Sequence, residues 1–211
     1  MKQVIQFMLQ IQNLSFARGK NVLFENLNFS MTEGDAMRVT GSNGSGKTTL
    51  LRIVSGLCRP DKGAVVWHGA VAQKNESEFV RSVNFLGHDD GLKKQLTATE
   101  NLKLMLPLLG ASPNDIEISA ALDAAGLEAV KHKPVMNMSA GQKRRVALTR
   151  LDFMRHRVLW VLDEPFTSLD VSAISALVVK LRAHIESGGV LIFTTHQDFD
   201  VVPEASSLSL D

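Results

Sequence analysis

A glycine-rich loop is the part of this sequence whose residue types and spacing most clearly suggest chemistry. Residues 41–49 read GSNGSGKTT and fit the pattern G-x-x-x-x-G-K-[ST]. Glycines let backbone N–H groups turn toward phosphate oxygens, and a helix that starts near Lys47 adds the positive end of its dipole. In such loops the lysine reaches the β and γ phosphates, and a hydroxyl such as that of Thr48 binds Mg²⁺. The predicted nucleotide-binding residues are Gly41, Ser42, Asn43, Gly44, Ser45, Gly46, Lys47, Thr48 and Thr49. The loop therefore predicts ATP and Mg²⁺ as ligands, against the alternative of a Gly/Ser-rich turn that binds nothing.

A buried-looking strand that ends in two carboxylates is the second such feature. The apolar run 158–162 is followed directly by Asp163, Glu164 and Pro165. Asp163 is suited to hold Mg²⁺, and Glu164 is suited to polarise a water for attack on a γ phosphate, as a general base. A solvated strand end is the alternative for such a pair. The phosphate loop upstream favours the catalytic interpretation.

A third segment, MSAGQ at 138–142, precedes the basic residues Lys143, Arg144 and Arg145. Ser139 and Gln142 have the spacing of a capping box, which satisfies backbone N–H groups at the start of a helix. Helix starts also bind phosphate, so we expect both roles here. The two arginines are interpreted as a solvated helix face rather than a nucleic-acid contact.

In this order and spacing, the three segments resemble the ATP-binding subunits of the ABC transporter family. Residues 138–142 are similar to that family's signature motif, the run 168–170 resembles its D-loop, and His196 resembles its switch histidine. The resemblance covers nearly the whole chain. It implies an α/β fold, a P-loop NTPase core with an N-terminal antiparallel β part and an inserted helical subdomain.

The same resemblance implies a mechanism. ATP joins two copies into a head-to-tail homodimer, in which Ser139 and Gly141, with Gln142, contact the nucleotide held by the partner subunit's Lys47. His196 contacts the γ phosphate from its own side. Hydrolysis then separates the copies and drives transmembrane partners. The implied catalytic residues are Glu164, His196, Lys47 and His88, and the implied metal ligands are Thr48 and Asp163.

Three positions depart from the common pattern of the family. His88 stands where most members have a glutamine that senses Mg²⁺ and the attacking water. An imidazole ordinarily titrates near about pH 6.5, so we predict extra pH sensitivity in hydrolysis. Arg18 falls where many members stack a tyrosine on the adenine, and a guanidinium can also stack on a purine; Phe16 is the alternative. Ala140 replaces the usual signature glycine.

Within the family, several runs resemble the branch that supplies ATP-binding subunits of the haem exporter in cytochrome c maturation. They are 86–88, 99–102, 163–167 and 194–197. This resemblance implies a peripheral subunit on the cytoplasmic face of the bacterial inner membrane, bound to integral membrane subunits of an exporter. The segment 89–109 is predicted to dock them, with ordinary helix packing as the alternative. The sequence contains no C-x-x-C-H motif, so no direct haem binding is expected.

Alternation of strand and helix must position these residues. Apolar alternation and turn signals predict strands at 4–14, 22–30, 36–40, 64–67, 83–86, 158–162 and 190–195. Helices are predicted at 47–57, 102–109 and 172–186. Thr97 and Glu100 have capping-box spacing, Ser112 with Pro113 predicts a further helix start, and Gly126 a helix stop. The prediction is one nucleotide-binding domain over 1–211, with a core at 1–88 and 158–211 and a helical subdomain at about 89–157.

Composition narrows the classes of function. The chain has 211 residues and a net charge of +1, so bulk electrostatic binding to nucleic acid is not expected. Its single cysteine, Cys58, excludes an internal disulfide and is predicted to be a packing residue. The tryptophans Trp67 and Trp160 are predicted to lie in the core. Four histidines are predicted to lie at the surface: His68, His132, His156 and His184.

Two other functions remain as alternatives. One is the ATPase subunit of another small ABC exporter, and the other is a soluble ABC ATPase that acts on ribosomes or nucleic acid. A regulatory ATP-binding protein without catalysis would be expected to lack Glu164 or His196, and both are present.

Overall fold

The computed structural model describes residues 7–72, 76–195, 202 and 205–211, which group into two compact units. The first unit contains the described residues up to Phe85, together with Arg157–Asp163 and Lys180–Asp211. The second unit contains Leu86–His156 and Glu164–Val179. The domain boundaries inferred from the sequence stay a prediction; the second unit differs from the predicted subdomain chiefly by including Glu164–Val179.

Strands and helices alternate along most of the chain. The strands are β1 Leu9–Arg18, β2 Asn21–Met31, β3 Ala36–Thr40, β4 Lys62–Trp67, β5 Ala70–Val71, β6 Val83–Leu86, β7 Leu159–Leu162, β8 Val190–Thr194 and β9 Ser206–Ser209. The helices are α1 Lys47–Val54, α2 Glu76–Ser82, α3 Ala98–Leu108, α4 Asp115–Ala124, α5 Ala140–Thr149 and α6 Val171–Glu186, with 3₁₀ turns at Val135–Asn137 and Arg150–Phe153. Within the described ranges, no helix is long and apolar enough to cross a bilayer.

The described strands form two sheets. One has the order β2-β1-β4-β5, and β1 pairs antiparallel with both β2 and β4. The other has the order β6-β7-β8-β3-β9, in which β3 pairs parallel with β8 and β9, and β7 pairs parallel with β8. Every residue of β7 and β8 is buried, as expected for central strands of a parallel sheet. The carboxyl ends of β3, β7 and β8 therefore meet at one edge of this sheet, where α/β proteins place their ligands.

Each unit has its own hydrophobic core. In the first unit, α1 buries Leu50, Leu51, Ile53 and Val54 among residues of both sheets. In the second, α3, α4 and α5 bury apolar residues in a shared core: Ala98, Leu102, Leu106, Ile118, Leu122 and Val146. Each unit therefore packs around its own cluster of buried apolar side chains.

The helix starts test the predicted caps. Thr97 and Glu100 form the predicted capping box at α3, which is confirmed. The predicted start at Ser112 is wrong, because Asn114 is the N-cap of α4. The Asn114 side chain accepts from the Ile116 and Glu117 N–H groups, and the Glu117 carboxylate accepts from the Asn114 N–H. Asn114 has a glutamate three positions later to complete the box, whereas Ser112 has the shorter Asp115.

Most predicted strands match the structure, with shifted ends. The strands at 36–40 and 83–86 are confirmed. Among the described residues β1 begins at Leu9 and extends to Arg18, and residues 4–6 of its predicted range lie outside the described ranges. The first helix ends at Val54 rather than at residue 57, since Gly56 adopts φ +76° and closes it. Gly126, at φ +67°, follows α4 as the predicted stop.

The predictions of burial or exposure for the two tryptophans, the cysteine and four histidines are confirmed except for one histidine. Trp67 and Trp160 are buried, and Cys58 packs against the core of the first unit, so these three are confirmed. His68, His132 and His156 are exposed as predicted. The surface prediction for His184 is wrong: its ring is buried and stacks on Trp160 at 3.9 Å between ring centroids.

Candidate functional site

The glycine-rich loop lies between β3 and α1 in the first unit. Gly46, at φ +106°, is the N-cap of α1, and no side chain caps the helix there. The first N–H groups of α1 therefore stay available to an anion. Gly41 adopts φ +141°, and a Cβ atom there would lie 2.5 Å from Ser45 Oγ, so a larger residue would strain the backbone and displace the Ser45 side chain. The loop has the shape that its sequence predicts.

Polar groups inside the loop fit a phosphate. Lys47 is 9% exposed, and its Nζ donates to the carbonyl oxygens of Gly41 at 2.6 Å and Ser42 at 2.9 Å. The Ser45 hydroxyl is buried and has no hydrogen-bond partner among the described residues. An ammonium held by carbonyls of its own loop and an unsatisfied buried hydroxyl are both groups that phosphate oxygens would satisfy.

A hydroxyl and a carboxylate meet beside this loop. Thr48 Oγ1 donates to Asp163 Oδ2 at 2.7 Å, and Thr194 Oγ1 donates to Asp163 Oδ1 at 2.8 Å. Asp163 is 2% exposed and follows β7, while Thr194 ends β8. Hydroxyl and carboxylate oxygens are the ligands that Mg²⁺ prefers, and Mg²⁺ commonly completes its shell with water and phosphate oxygens. The two predicted metal ligands are thus brought together, and they fit this ion.

Sequence reasoning missed Thr194 as part of this arrangement. It is the last residue of a fully buried strand parallel to β7, so its side chain emerges at the sheet edge where Asp163 lies. A polar residue ending an apolar run of four was the available signal.

Arg18 lies near the end of the loop. Its Nη2 donates to Thr49 Oγ1 at 3.3 Å, and the rest of the side chain is exposed. Phe16, the alternative candidate for the adenine, is half-buried and packs against the core with Phe24. The structure therefore brings Arg18 to the phosphate loop, and its contact with adenine stays a prediction.

Asp211, which follows β9, also contacts the loop. Asp211 Oδ1 accepts a hydrogen bond from the Ser42 N–H at 2.7 Å. Hydrogen bonds from the Ser42 backbone and hydroxyl, and the charge of Lys47, hold the pKa of the Asp211 carboxyl below its ordinary value. A carboxylate here places a negative charge beside the groups that would hold phosphates. No sequence motif pointed to this residue.

The second unit contains the signature segment. Ser139 Oγ accepts from the Gln142 N–H at 3.2 Å, and Gln142 Oε1 accepts from the Ser139 N–H at 2.9 Å, which confirms the predicted capping box at the start of α5. At Gly141, a Cβ atom would lie 2.6 Å from the carbonyl oxygen of Ser168, a residue of the D-loop-like run at φ +64°. Any larger residue at Gly141 would displace that run.

Glu164 has an unusual backbone. It is half-buried and adopts φ +50°, a left-handed conformation that is uncommon for residues with a side chain. Such conformations cluster at functional sites, where surrounding contacts hold them. Its neighbour in sequence, Asp163, belongs to the first unit.

Arg144 contradicts its predicted exposure. The sequence predicts a solvated face here, yet Arg144 is 4% exposed and donates to the carbonyl oxygen of Glu164 at 2.8 Å and to Asp90 Oδ1 at 2.9 Å. Arg145 is half-buried and donates to the Ala125 and Gly126 carbonyl oxygens. Both arginines are buried at least in part because they donate to backbone carbonyls of other segments, whose positions cannot be inferred from the sequence.

Two predicted catalytic histidines remain to be located. His88 lies in the second unit, on an exposed segment between β6 and α3. His196 falls outside the described residues, so its predicted role stays a prediction.

Comparison with known proteins identifies the family of this chain. A family model described as ABC transporter matches residues 24–167. The cytochrome c biogenesis ATP-binding export protein CcmA of Vibrio vulnificus is 44% identical over 191 residues, which cover 90% of this chain and 93% of that protein. CcmA of Salmonella typhi is 45% identical over 190 residues, 90% of each chain.

Solved structures agree in fold. The ATP-binding subunit of an ABC transporter matches with a TM-score of 0.77 and 26% identity, over 90% of this chain and 80% of that one. The ATP-binding cassette MJ0796, in a dimeric post-hydrolysis state bound to ADP and Pi, matches with a TM-score of 0.81 and 24% identity, over 97% and 94% of the two chains.

Proposed function

Because this chain belongs to the ABC transporter family, we propose that it is the ATP-hydrolysing subunit of an exporter complex in cytochrome c biogenesis. The observation that carries the proposal is the contact between Thr48 and Asp163, directly beside Lys47 in a glycine-rich loop. That arrangement supports nucleotide chemistry. The relatives named for cytochrome c biogenesis, alike over 90% of the chain, support the branch.

Binding begins at the phosphate loop. Backbone N–H groups at the start of α1 receive the phosphates of ATP, and Lys47 exchanges the carbonyls of Gly41 and Ser42 for phosphate oxygens. The buried hydroxyl of Ser45 gains an acceptor in the same step. Arg18, beside Thr49, covers the adenine end by stacking.

Thr48 and Asp163 would hold Mg²⁺, and the hydrogen bond from Thr194 would keep the Asp163 carboxylate in its present orientation. When bound, the ion neutralises charge on the β and γ phosphate oxygens. Asp163 needs no large movement for this role, because its Oδ2 already faces the Thr48 hydroxyl.

Glu164 is the general base. Its carboxylate takes a proton from the water whose oxygen bonds to the γ phosphorus, while the bond from that phosphorus to the β–γ bridging oxygen breaks. The products are ADP and inorganic phosphate. His196 and His88 contact the γ phosphate and the attacking water, as the family resemblance implies.

The signature segment acts on a second copy. Ser139, Gly141 and Gln142 at the start of α5 bind the γ phosphate held by the partner subunit's Lys47, so ATP joins the copies head to tail. The capping box supports this role because it fixes the helix start. The structure of the relative MJ0796 is described as a dimer with ADP and Pi, which supports an ATP-linked dimer here.

The complex acts at the cytoplasmic face of the inner membrane, where this subunit is peripheral and integral membrane subunits dock on it. The segment 89–109 is the proposed docking site. Two of its side chains on α3 support this, since Leu104 is 49% exposed and Leu108 is 82% exposed. No contact with nucleic acid or haem is proposed.

The first test is hydrolysis by the purified full chain with Mg²⁺ and ATP. We expect Glu164→Gln to lower kcat by about 10²-fold or more while ATP binding persists, since a general base acts on the chemical step. Glu128→Gln, which changes an exposed carboxylate of the second unit, is the matched control. Equal rates in the two variants would remove Glu164 from the mechanism.

The second test identifies the complex. The tagged chain is recovered from detergent-solubilised native membranes, and the co-purifying proteins are identified by mass spectrometry. Recovery of integral membrane subunits of cytochrome c maturation is expected. A different permease would keep the transport ATPase and remove this branch, and ribosomes alone would overturn the transporter assignment.

A further inference from the structure

Arg144 joins two separate segments of the second unit. Its Nη2 donates to the Glu164 carbonyl at 2.8 Å and its Nε to the Pro165 carbonyl at 3.4 Å. Its Nη1 donates to the Gly87 carbonyl at 3.2 Å and to Asp90 Oδ1 at 2.9 Å. The Arg144 side chain is 5% exposed, so water has little access to these hydrogen bonds. One guanidinium thus spans the turn after β7 and the segment after β6.

On one side, Arg144 holds the backbone of the general base. Glu164 adopts φ +50°, a conformation that persists only where neighbouring contacts determine it. Hydrogen bonds to the carbonyls of Glu164 and Pro165 fix the peptide planes that follow the base. Fixing those planes fixes the direction of the Glu164 Cα–Cβ bond, and so where its carboxylate can reach.

On the other side, Arg144 anchors the segment that contains His88. Gly87 precedes His88 and Asp90 lies two residues beyond it, and both accept from the same nitrogen, Nη1. His88 itself is exposed, so the anchors on either side of it limit its position. His88, which replaces the family's usual glutamine, therefore lies in a segment whose position Arg144 fixes through two hydrogen bonds.

The contacts require an arginine. Its planar fork carries donors on three nitrogens, whereas a lysine ammonium is a single point of donation. A second buried arginine, Arg150, lies close by; burial, then the charge of Arg144, lower the pKa of Arg150 to about 10, and Asp90 opposes that shift. Asp90 therefore offsets positive charge around both guanidinium groups.

We propose that Arg144 is a positioning residue for hydrolysis, which holds the backbone of Glu164 and the segment around His88 in one fixed arrangement. The inference rests on the proposed function in assigning Glu164 and His88 to the reaction. Since Arg144 lies on α5, whose first turn is the signature segment, movement of that helix reaches both catalytic groups through one side chain.

Amide hydrogen exchange of the full chain tests the arrangement without using activity. We expect Arg144→Lys to speed exchange by about tenfold or more in both 86–91 and 164–169, because loss of the fork releases both segments together. Arg145→Lys is the matched control, since the neighbouring arginine bonds the carbonyls of Ala125 and Gly126 and should affect only that region. Faster exchange in only one segment, or in neither, overturns the proposal.

Kinetics test the consequence for hydrolysis. Arg144→Lys should lower kcat by about tenfold or more and change KM and the Kd for ATP by no more than about twofold, because misplacement of the base affects the chemical step. Arg145→Lys should stay near wild type. A loss of kcat equal to that of the control, or a proportional loss of ATP affinity, contradicts a positioning role.

A second variant keeps the proposal testable if Arg144→Lys does not fold. Asp90→Ala removes one anchor and leaves the carbonyl contacts, so exchange should quicken in 86–91 more than in 164–169. Equal exchange in both segments would overturn the assignment of Asp90. If the wild-type chain hydrolyses no ATP, the proposed function fails, while the exchange data still decide whether Arg144 joins the two segments.

Discussion

The Thr48 hydroxyl donates a hydrogen bond of 2.7 Å to Asp163 Oδ2, although the two residues are 115 positions apart. Thr48 lies in the first turn of α1, which comes after β3 of the parallel sheet, and Asp163 follows β7 of the same sheet. Strand ends at one edge of the sheet thus bring together a hydroxyl and a carboxylate beside Lys47. The contact also shows that the candidate metal ligands are in place in a single copy of the chain.

This contact predicts how hydrolysis depends on Mg²⁺. Asp163→Asn keeps the size of the side chain but removes the charge, so the Mg²⁺ concentration for half-maximal rate should rise by about tenfold or more. The measurement is ATP hydrolysis against Mg²⁺ concentration. Glu25→Gln, on an exposed position of β2, should leave the curve unchanged. An unaltered Mg²⁺ dependence in Asp163→Asn would show that the ion is held elsewhere.

Asp211 predicts an effect of salt on ATP affinity. Asp211→Asn keeps an oxygen that can accept from the Ser42 N–H but removes a negative charge near Lys47. We expect ATP to bind about two- to fivefold tighter to the variant at low salt, and the difference to shrink as salt screens exposed charges. Titration with a fluorescent ATP analogue at two ionic strengths measures this. Weaker binding by the variant, or a difference that salt does not change, would contradict it.

The same contact has a defined pH window. Because the pKa of Asp211 is lowered in the folded chain, its stabilising bond to Ser42 is fully present above the ordinary aspartate pKa. The bond is lost as pH falls through the lowered value. Near neutral pH the Asp211 charge is therefore constant, and the comparison of affinities is free of titration at this residue.

His184 predicts acid sensitivity of the first unit. Burial lowers its pKa, an effect that hydrogen bonds to the backbone of Val190 and Val158 partly oppose. As pH falls below about 6.5 the unfolded chain gains a proton that the folded chain resists, so the free energy of unfolding falls. Above that pH the residue has no such effect.

Thermal unfolding at pH 8 and pH 5 tests this expectation. His184→Phe keeps a ring against Trp160 and removes the titration, so the drop in Tm between the two pH values should be smaller than in wild type. His156→Gln, at an exposed histidine, should behave like wild type. The same drop in all three proteins would assign the acid sensitivity to other groups.

His88 predicts the shape of the pH–rate profile. Replacing this imidazole by the glutamine that is common in the family exchanges a side chain that can gain a proton for one that cannot. The profile of kcat for His88→Gln should therefore be flatter between about pH 5.5 and pH 8. An unchanged profile would mean that His88 does not influence the chemical step.

The sequence predicted best those features that are contiguous in the chain. The loop around Lys47, the pair Asp163–Glu164 and the capping box of Ser139 each lie within a few residues, so spacing alone identifies them. Thr194 and Asp211 join the site through the pairing of β8 with β7 and of β9 with β3, which has no local signature. The sequence therefore predicted the residues at the strand ends but not Thr194 and Asp211, which contact them.

For two wrong predictions, on His184 and Arg144, the sequence contains a contrary signal. His184 lies three residues after Leu181 and seven after Leu177, both buried, so helical spacing places it on the inward face of α6. Arg144 belongs to a helix that also buries Val146, Ala147 and Leu148. Buried positions on three sides of a short helix leave little room for a solvated face. Charge alone suggested exposure, and the backbone carbonyls of other segments overrode it.

The stack of Trp160 on His184 has an optical consequence. The chain has no tyrosine and two tryptophans, and both Trp67 and Trp160 belong to the first unit. Intrinsic emission therefore comes from that unit, and protonation of an imidazole lying 3.9 Å from the indole should quench part of it. Tryptophan fluorescence can therefore report the unfolding of the first unit alone. The second unit would give no tryptophan signal unless a tryptophan were introduced into it.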